Sequence, residues 1–243
     1  MVYNLEEYIG KDWCSALGSA AVQDLIQRME IVEKKRSECE VLPLEDEDSG
    51  VLYSLKVTPF NKVKVVIIGQ DPYPNKEDAH GLAFSKKSGN LPASLKNIFA
   101  KIKDDVGVEN TNGNLTKWAQ QGVLLLNRAL TFSKEESLAK RNKFWLPVID
   151  NIIDRLINRN QPLVVILWGN PANEMEQFSF EKEAQYKTKK VYILRSSHPS
   201  NMGNAKNTAI FDGKIKSFMD SNTFSECNKI LSSLGCKEID WHT

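Results

Sequence analysis

The chain has 243 residues, of which 41% are hydrophobic and 26% charged, as in folded globular proteins with a substantial core. Its 32 basic residues nearly balance its 31 acidic ones, so a polyanionic partner must bind a local basic surface rather than respond to the global charge. Four scattered cysteines and three histidines lack the spacing of a zinc site. A magnesium ion held by carboxylates is the remaining alternative, but no clustered acids at the loop ends favour one. We therefore expect reduced thiols, no metal and no other cofactor.

The amino terminus carries charged residues where a secretory signal needs an apolar core, and the longest apolar runs have only the length of a strand. We expect an intracellular protein that does not enter a membrane. Its compartment would be the cytoplasm for a bacterial or viral source, or the nucleus. The length suits one domain covering residues 1–243.

The first half of the chain alternates helical and strand patterns. Apolar spacing predicts a helix over residues 16–35, and the β-branched run at residues 65–68 predicts a buried strand. A second amphipathic pattern begins at Leu95, with Ser94 as a candidate N-cap. Residues 122–127 form the second predicted strand.

The second half repeats this alternation. A helix is predicted over residues 145–157, followed by strands at 163–168 and 191–194. Strands that alternate with helices form parallel sheets covered on both faces. The sequence therefore predicts an α/β fold: a single three-layer α/β/α domain with a central four-stranded parallel twisted sheet.

Polar residues capable of chemistry follow each predicted strand. In open α/β sheets, ligands bind at the carboxyl ends of the strands. We therefore expect one edge of the sheet to gather Asp71, Asn127, Gly169 and His198. The sequence has no phosphate-binding loop, dinucleotide fingerprint, serine-hydrolase elbow or zinc-protease motif. A carboxylate, an amide and an imidazole with nearby aromatic rings suit the recognition and hydrolysis of a flat heterocycle.

Seven motifs occur in a specific order: GQDPYP, AHGLAFS, LPASLKN, GVLLLN, LWGN, SSHPS and IDW. In order and approximate spacing they resemble the family-1 uracil-DNA glycosylases, from about Asp12 to Trp241. The resemblance implies a monofunctional hydrolase of base excision repair that cleaves the N-glycosidic bond of deoxyuridine in single- or double-stranded DNA. It would release uracil and leave an abasic site.

The resemblance also implies roles in the chemistry and in reading the base. Asp71 would orient or activate the attacking water, and His198 would donate a hydrogen bond to uracil O2. Asn127 would pair with uracil N3–H and O4, and Phe84 would stack on the ring. The other residues of the substrate pocket would be the Gln70 backbone and Tyr73, which would exclude the methyl group of thymine.

Without the resemblance, each residue has a structural interpretation. Asp71 and Asn127 could cap turns, Tyr73 and Phe84 could pack in the core, and His198 could be structural.

Further residues are expected to bind DNA outside the pocket. Those that resemble the family's phosphate-contacting loops are Ser94, Gly169, Asn170 and Ser200. Met202 aligns with the leucine that fills the space left by the extruded base, a use of apolar side chains known from other DNA-binding proteins. The chain departs from the family pattern at Pro74, where histidine is usual, at Asn170, where serine is usual, and at Asn201 and Met202, where proline and leucine are usual.

The expected partner is uracil-containing DNA, and an inhibitor protein or replication factors are further candidate partners of a monomer. A rival hypothesis is a DNA-binding accessory protein on the same fold, in which the pocket is a remnant. Intact Asp71, Asn127 and His198 favour catalysis, whereas Pro74 and the altered wedge leave the rival open.

Overall fold

A four-stranded parallel sheet forms the centre of the molecule in the computed structural model, which describes residues 4–173, 175–178, 188, 190–200 and 215–243. The strand order is β2-β1-β3-β4. The strands are β1 (Val65–Gly69), β2 (Val123–Asn127), β3 (Leu163–Trp168) and β4 (Val191–Ser196). The predicted α/β fold with four parallel strands is confirmed.

Nine α-helices in the described part of the chain surround the sheet. They are α1 (Leu5–Ile9), α2 (Lys11–Leu17), α3 (Ser19–Arg36), α4 (Tyr53–Val57), α5 (Ala93–Val106), α6 (Thr116–Gln120), α7 (Leu138–Asn158), α8 (Asn170–Asn173) and α9 (Thr223–Ser233). None of these helices combines the length and the apolar character needed to span a bilayer.

The helices cover both faces of the sheet, as the near-continuous apolar strands require. On one face, Val66 and Ile68 pack in a core with residues of α2, α3 and α7. On the other face, Val65 and Ile67 pack with residues of α5, α6 and α9. Successive side chains of a strand point to opposite faces, so the single strand β1 contributes to both cores.

The register of the strands brings their carboxyl ends to one edge. Gly69, the last residue of β1, pairs with Asn127, the last residue of β2. On the other side of β1, Trp168 of β3 pairs with Ser196 of β4. The loops that carry the predicted site residues therefore all begin at this edge.

Three local predictions need correction. The helix expected over residues 16–35 is two helices, α2 and α3, because the chain turns at Gly18 with φ +82°. Ser94 is not the N-cap of α5: the helix begins at Ala93, and Pro92 occupies the capping position. The helix expected over residues 145–157 begins earlier, at Leu138, where the Ser137 side chain accepts a hydrogen bond from the backbone of Lys140.

Candidate active site

The loops after β1 and β2 are joined by backbone hydrogen bonds. Arg128 N–H donates to the Gly69 carbonyl and Ala129 N–H to the Gln70 carbonyl, each at 3.0 Å. A Cβ atom on Gly69 would lie 2.2 Å from the amide oxygen of Asn127, so only glycine allows Asn127 this close to β1. The two strand ends therefore form one continuous wall.

A cavity of about 350 Å³ opens on this wall. Its lining includes Gln70, Asp71, Tyr73, Phe84, Asn127 and His198. A second cavity of about 250 Å³ shares Phe84 and His198 with the first. The structure thus brings together the residues that the sequence analysis assigned to base recognition and chemistry.

Asn127 lies in the larger cavity with its side-chain amide unsatisfied. The residue is only 5% exposed. Among the residues that the structure describes, none hydrogen-bonds its amide group. Its amide atoms are not among the fully buried side-chain atoms that lack a partner, so they face the cavity and are open to a polar ligand there.

Phe84 is held in a backbone conformation that is uncommon outside glycine. Its φ is +62°, and its ring packs edge-on against Trp168 with ring centroids 5.2 Å apart. Such strain costs about 1–3 kcal/mol and concentrates at functional sites. The strained turn directs the Phe84 ring into both cavities, where its centroid lies 5.9 Å from that of His198.

Tyr73 forms the side of the cavity next to Phe84. Its hydroxyl donates a hydrogen bond to the Phe84 carbonyl at 3.2 Å. Burial raises the pKa of Tyr73 well above its usual value, so the hydroxyl is protonated at neutral pH. The ring is therefore fixed against the Phe84 turn.

The contacts of His198 define its tautomer and favour its neutral form. Its Nδ1 accepts a hydrogen bond from Ser200 N–H at 3.0 Å, which places the single proton of the neutral ring on Nε2. Burial lowers the pKa of His198, so the neutral form prevails at pH 7. A Cβ atom on Gly169 would lie 2.8 Å from the His198 Cβ, and Gly169 has φ +83°, so glycine is required beside the imidazole.

Asp71 has protein partners on both carboxylate oxygens. Gln70 Nε2 donates to Oδ1 at 3.0 Å, and Arg141 Nη2 donates to Oδ2 at 2.6 Å. The Asp71 and Arg141 side chains are 15% and 6% exposed. Arg141 is not predictable from the sequence, because nothing in the sequence places a residue of α7 next to the loop after β1.

A buried pair below the Phe84 turn is likewise not predictable from the sequence. His80, 1% exposed, is hydrogen-bonded through Nε2 to the Ser85 hydroxyl at 2.7 Å. Burial lowers the pKa of His80 to about 4. Leu115 N–H also donates to the Ser85 hydroxyl at 2.8 Å, which ties this turn to the start of α6. The motif AHGLAFS contains both residues but gives no sign that they pair.

The residues expected to bind DNA occupy different positions around the cavities. Ser94 lines the larger cavity and Ser200 the smaller, while Gly169 lies beside His198. Asn170 is exposed and belongs to the lining of neither cavity. Met202 lies outside the described residues, as does Asn201. Within the described ranges, no group of three side chains could hold a metal ion.

The parallel sheet and this pocket define an α/β protein whose candidate ligand site, at the carboxyl ends of the strands, combines an acid, a neutral imidazole and an amide that has no partner among the described residues. The family model described as the Uracil DNA glycosylase superfamily matches residues 55–231. The chain is 37% identical over 239 residues to a uracil-DNA glycosylase of Bacillus pumilus, covering 98% of this chain and 97% of that protein. It is also 37% identical over 236 residues to the Fusobacterium nucleatum enzyme of the same name, covering 96% of each.

Solved structures agree with these sequence matches. The crystal structure of mimivirus uracil-DNA glycosylase superposes with a TM-score of 0.79 at 25% identity, covering 100% of this chain and 90% of that one. A variant of the mimivirus protein in complex with UGI gives a TM-score of 0.74 at 26% identity, covering 90% of this chain and 83% of that one. The chain belongs to the uracil-DNA glycosylase superfamily.

Proposed function

We propose that this chain hydrolyses the N-glycosidic bond of deoxyuridine in DNA, releasing uracil and leaving an abasic site in base excision repair. The observation that carries the proposal is the amide of Asn127, which has no hydrogen-bond partner among the described residues and faces one cavity with Asp71 and the neutral imidazole of His198. These are the groups needed to read a pyrimidine edge, supply a carboxylate and stabilise a departing base.

Recognition of uracil would rest on Asn127 and the two aromatic residues. The amide oxygen can accept from uracil N3–H while the amide nitrogen donates to O4, whereas cytosine has an acceptor at N3 and a donor at position 4. A mismatched base would leave buried groups unpaired, at about 1–3 kcal/mol each. Phe84 would stack on the base, and the fixed ring of Tyr73 would leave no room for a methyl group at C5.

Bond cleavage would rest on Asp71 and His198. Water attacks the deoxyribose C1′ as the bond from C1′ to N1 breaks, and the bonding electron pair leaves with the base. The Asp71 carboxylate would orient the water, accept its proton and stabilise the cationic sugar. His198 Nε2–H would hydrogen-bond to O2, where negative charge develops. Because uracil leaves as a delocalised anion, a second carboxylic acid is not needed.

DNA would reach the pocket only with the target nucleotide extruded, because a base inside a duplex cannot enter a cavity at a sheet edge. The proposed phosphate contacts are made by the Ser94, Gly169, Asn170 and Ser200 regions, and Met202 is the proposed wedge. The Ser94 and Ser200 regions lie close together, because the Asn97 side chain donates to the Pro199 carbonyl at 2.7 Å and joins α5 to the His198 loop.

The remaining proposals concern the oligomeric state, the location and the partners of the protein. We propose that residues 1–243 act as one monomeric domain inside the cell, in the cytoplasm or nucleus. Replication factors are proposed partners. The mimivirus complex with UGI supports the further proposal that an inhibitor protein of this kind binds the DNA-facing surface.

The decisive experiment incubates the full chain with a single-stranded oligonucleotide that contains one deoxyuridine and measures free uracil and alkali-labile abasic sites. Matched oligonucleotides with thymine or cytosine at the same position are the controls. Uracil release with neither control cleaved is the expected result. DNA binding without any release would refute the proposed function and favour the accessory-protein hypothesis.

A further inference from the structure

The contact between Arg141 and Asp71 joins two residues 70 positions apart in the chain. Arg141 lies in the first turn of α7 and is 6% exposed, and its Nη2 is 2.6 Å from Asp71 Oδ2. Withdrawing a guanidinium from water is costly unless the charge is paired and hydrogen-bonded. Such a contact beside the proposed reaction centre requires a reason beyond surface ion pairing.

The guanidinium is fixed by contacts that do not involve Asp71. Its Nη1 donates to the Ser133 carbonyl at 3.2 Å and also to the Glu136 carbonyl. Its central carbon lies 4.7 Å from the centroid of the Phe132 ring, in a cation–π arrangement. Because these contacts set both the position and the plane of the group, Arg141 is preorganised to bind one carboxylate oxygen.

The two oxygens of Asp71 therefore have unlike partners. Oδ2 is bound by the buried, fixed guanidinium, whereas Oδ1 accepts from the side chain of Gln70, an exposed residue. An exposed amide is displaced by water or substrate far more readily than a buried cation. Oδ2 is thus the anchor of the carboxylate, and Oδ1 is the oxygen available to the attacking water.

We infer that Arg141 is a positioning residue for the reaction, acting through Asp71 by fixing its carboxylate so that Oδ1 faces the attacking water. The inference rests on the proposed function and deepens it. A cation this close also weakens the field of the carboxylate on the cationic sugar, so the benefit to the rate lies in orientation. A direct phosphate contact does not explain Arg141, because the side chain is almost fully buried.

The test compares kcat and KM for uracil release by wild type, Arg141→Met and Arg141→Lys. Misplacement of a reacting group by about 1 Å costs on the order of 100-fold in rate, so Arg141→Met is expected to lower kcat about 100-fold with little change in KM. Arg141→Lys keeps the charge but not the planar fork, and an intermediate kcat is expected. Lys140→Met, which removes the neighbouring but 70% exposed cation, is the matched control and should keep wild-type kcat.

A double-mutant cycle separates positioning from general structural support. If Arg141 acts through Asp71, adding Arg141→Met to Asp71→Asn should cause no further loss in single-turnover rate. An equal loss in both backgrounds, or wild-type kcat in Arg141→Met, would overturn the inference. If Arg141→Met fails to fold, as thermal unfolding would reveal, Arg141→Lys takes its place in the same cycle and is subject to the same criteria. Wild type that releases no uracil would instead overturn the proposed function.

Discussion

The ends of the neighbouring strands β1 and β2 contribute to the same cavity, but their polar residues differ in their hydrogen-bond partners. Asp71, after β1, has a protein partner on each carboxylate oxygen. Asn127, at the end of β2, is buried, and no hydrogen bond within the described residues satisfies its amide. The group proposed to act on the reaction is oriented by the protein, whereas the group proposed to read the base is left for the base to satisfy.

The largest loss of activity is expected when the oriented carboxylate of Asp71 is replaced. Asp71→Asn keeps the size of the side chain but removes its charge and its ability to accept a proton. A loss of about 10²–10⁴-fold in the rate of uracil release is expected, because proton transfer by a positioned group contributes that much. Affinity for uracil-containing DNA, measured by fluorescence anisotropy, should be kept. Full turnover by the variant would refute the proposed role of Asp71.

His198 is the next test, because it completes the cavity from the loop after β4. His198→Leu removes a donor aimed at developing negative charge, and loss of one such donor lowers kcat about 10²–10³-fold. Single-turnover rates on the deoxyuridine oligonucleotide would measure the loss. His242→Leu, which alters an exposed histidine near the carboxyl terminus, is the matched control and should retain full activity. A rate within twofold of wild type for His198→Leu would contradict the assignment.

Asn127→Asp tests the other side of the comparison. A carboxylate cannot donate to uracil O4, but it can accept from the amino group of cytosine. We expect the ratio of uracil to cytosine excision to fall about 10–100-fold, equivalent to about 1–3 kcal/mol for the lost pairing. Competition between the two oligonucleotides in one reaction measures this ratio. An unchanged ratio would show that the base is read by other groups.

The remaining effect is expected in stability rather than in activity, in the loop that follows β1. The folded-state pKa of His80 is lowered to about 4 by burial, while an unfolded histidine titrates near 6.5. The unfolded state therefore binds the extra proton first, and the contribution of His80 to stability, complete above about pH 6.5, is lost as the pH falls from there toward 4. This costs about 2 kcal/mol between pH 7 and pH 5.

Urea unfolding at pH 7 and pH 5 measures this dependence. His80→Gln should reduce the difference in unfolding free energy between the two pH values by about 2 kcal/mol relative to wild type. An undiminished difference in His80→Gln would show that another group carries the pH dependence.

The strands and their convergence could be predicted from sequence because uninterrupted apolar runs occur only where both faces of a strand are buried. The start of α7 could not, since residues 138–144 are largely polar and the apolar pattern becomes clear only at Trp145. Proline is common only in the first turn of a helix, so Pro147 would place the helix start near it. The helix nevertheless begins at Leu138 and continues through Pro147. Ser94 resembled an N-cap, but Pro92, with its fixed φ, already begins the turn.

The convergence of side chains on one cavity was predictable wherever a residue could be assigned by its own strand end, as for Asp71, Asn127 and His198. It was not predictable where two residues meet across the fold. Arg141 meets Asp71 only because the first turn of α7 lies beside the loop that follows β1, and no local pattern encodes that meeting. The strained backbone of Phe84 was equally hidden, because a positive φ at a non-glycine residue is imposed by tertiary contacts.

The hydrogen bond from Ser200 N–H to His198 Nδ1 determines which proton transfers the imidazole can take part in. A neutral ring with one occupied nitrogen carries a single proton, and giving that proton away would create an imidazolate, a far stronger base than the leaving pyrimidine. The ring can donate a hydrogen bond through Nε2–H but cannot transfer that proton to the base. The excised base would therefore depart still charged and take up its missing proton from bulk water.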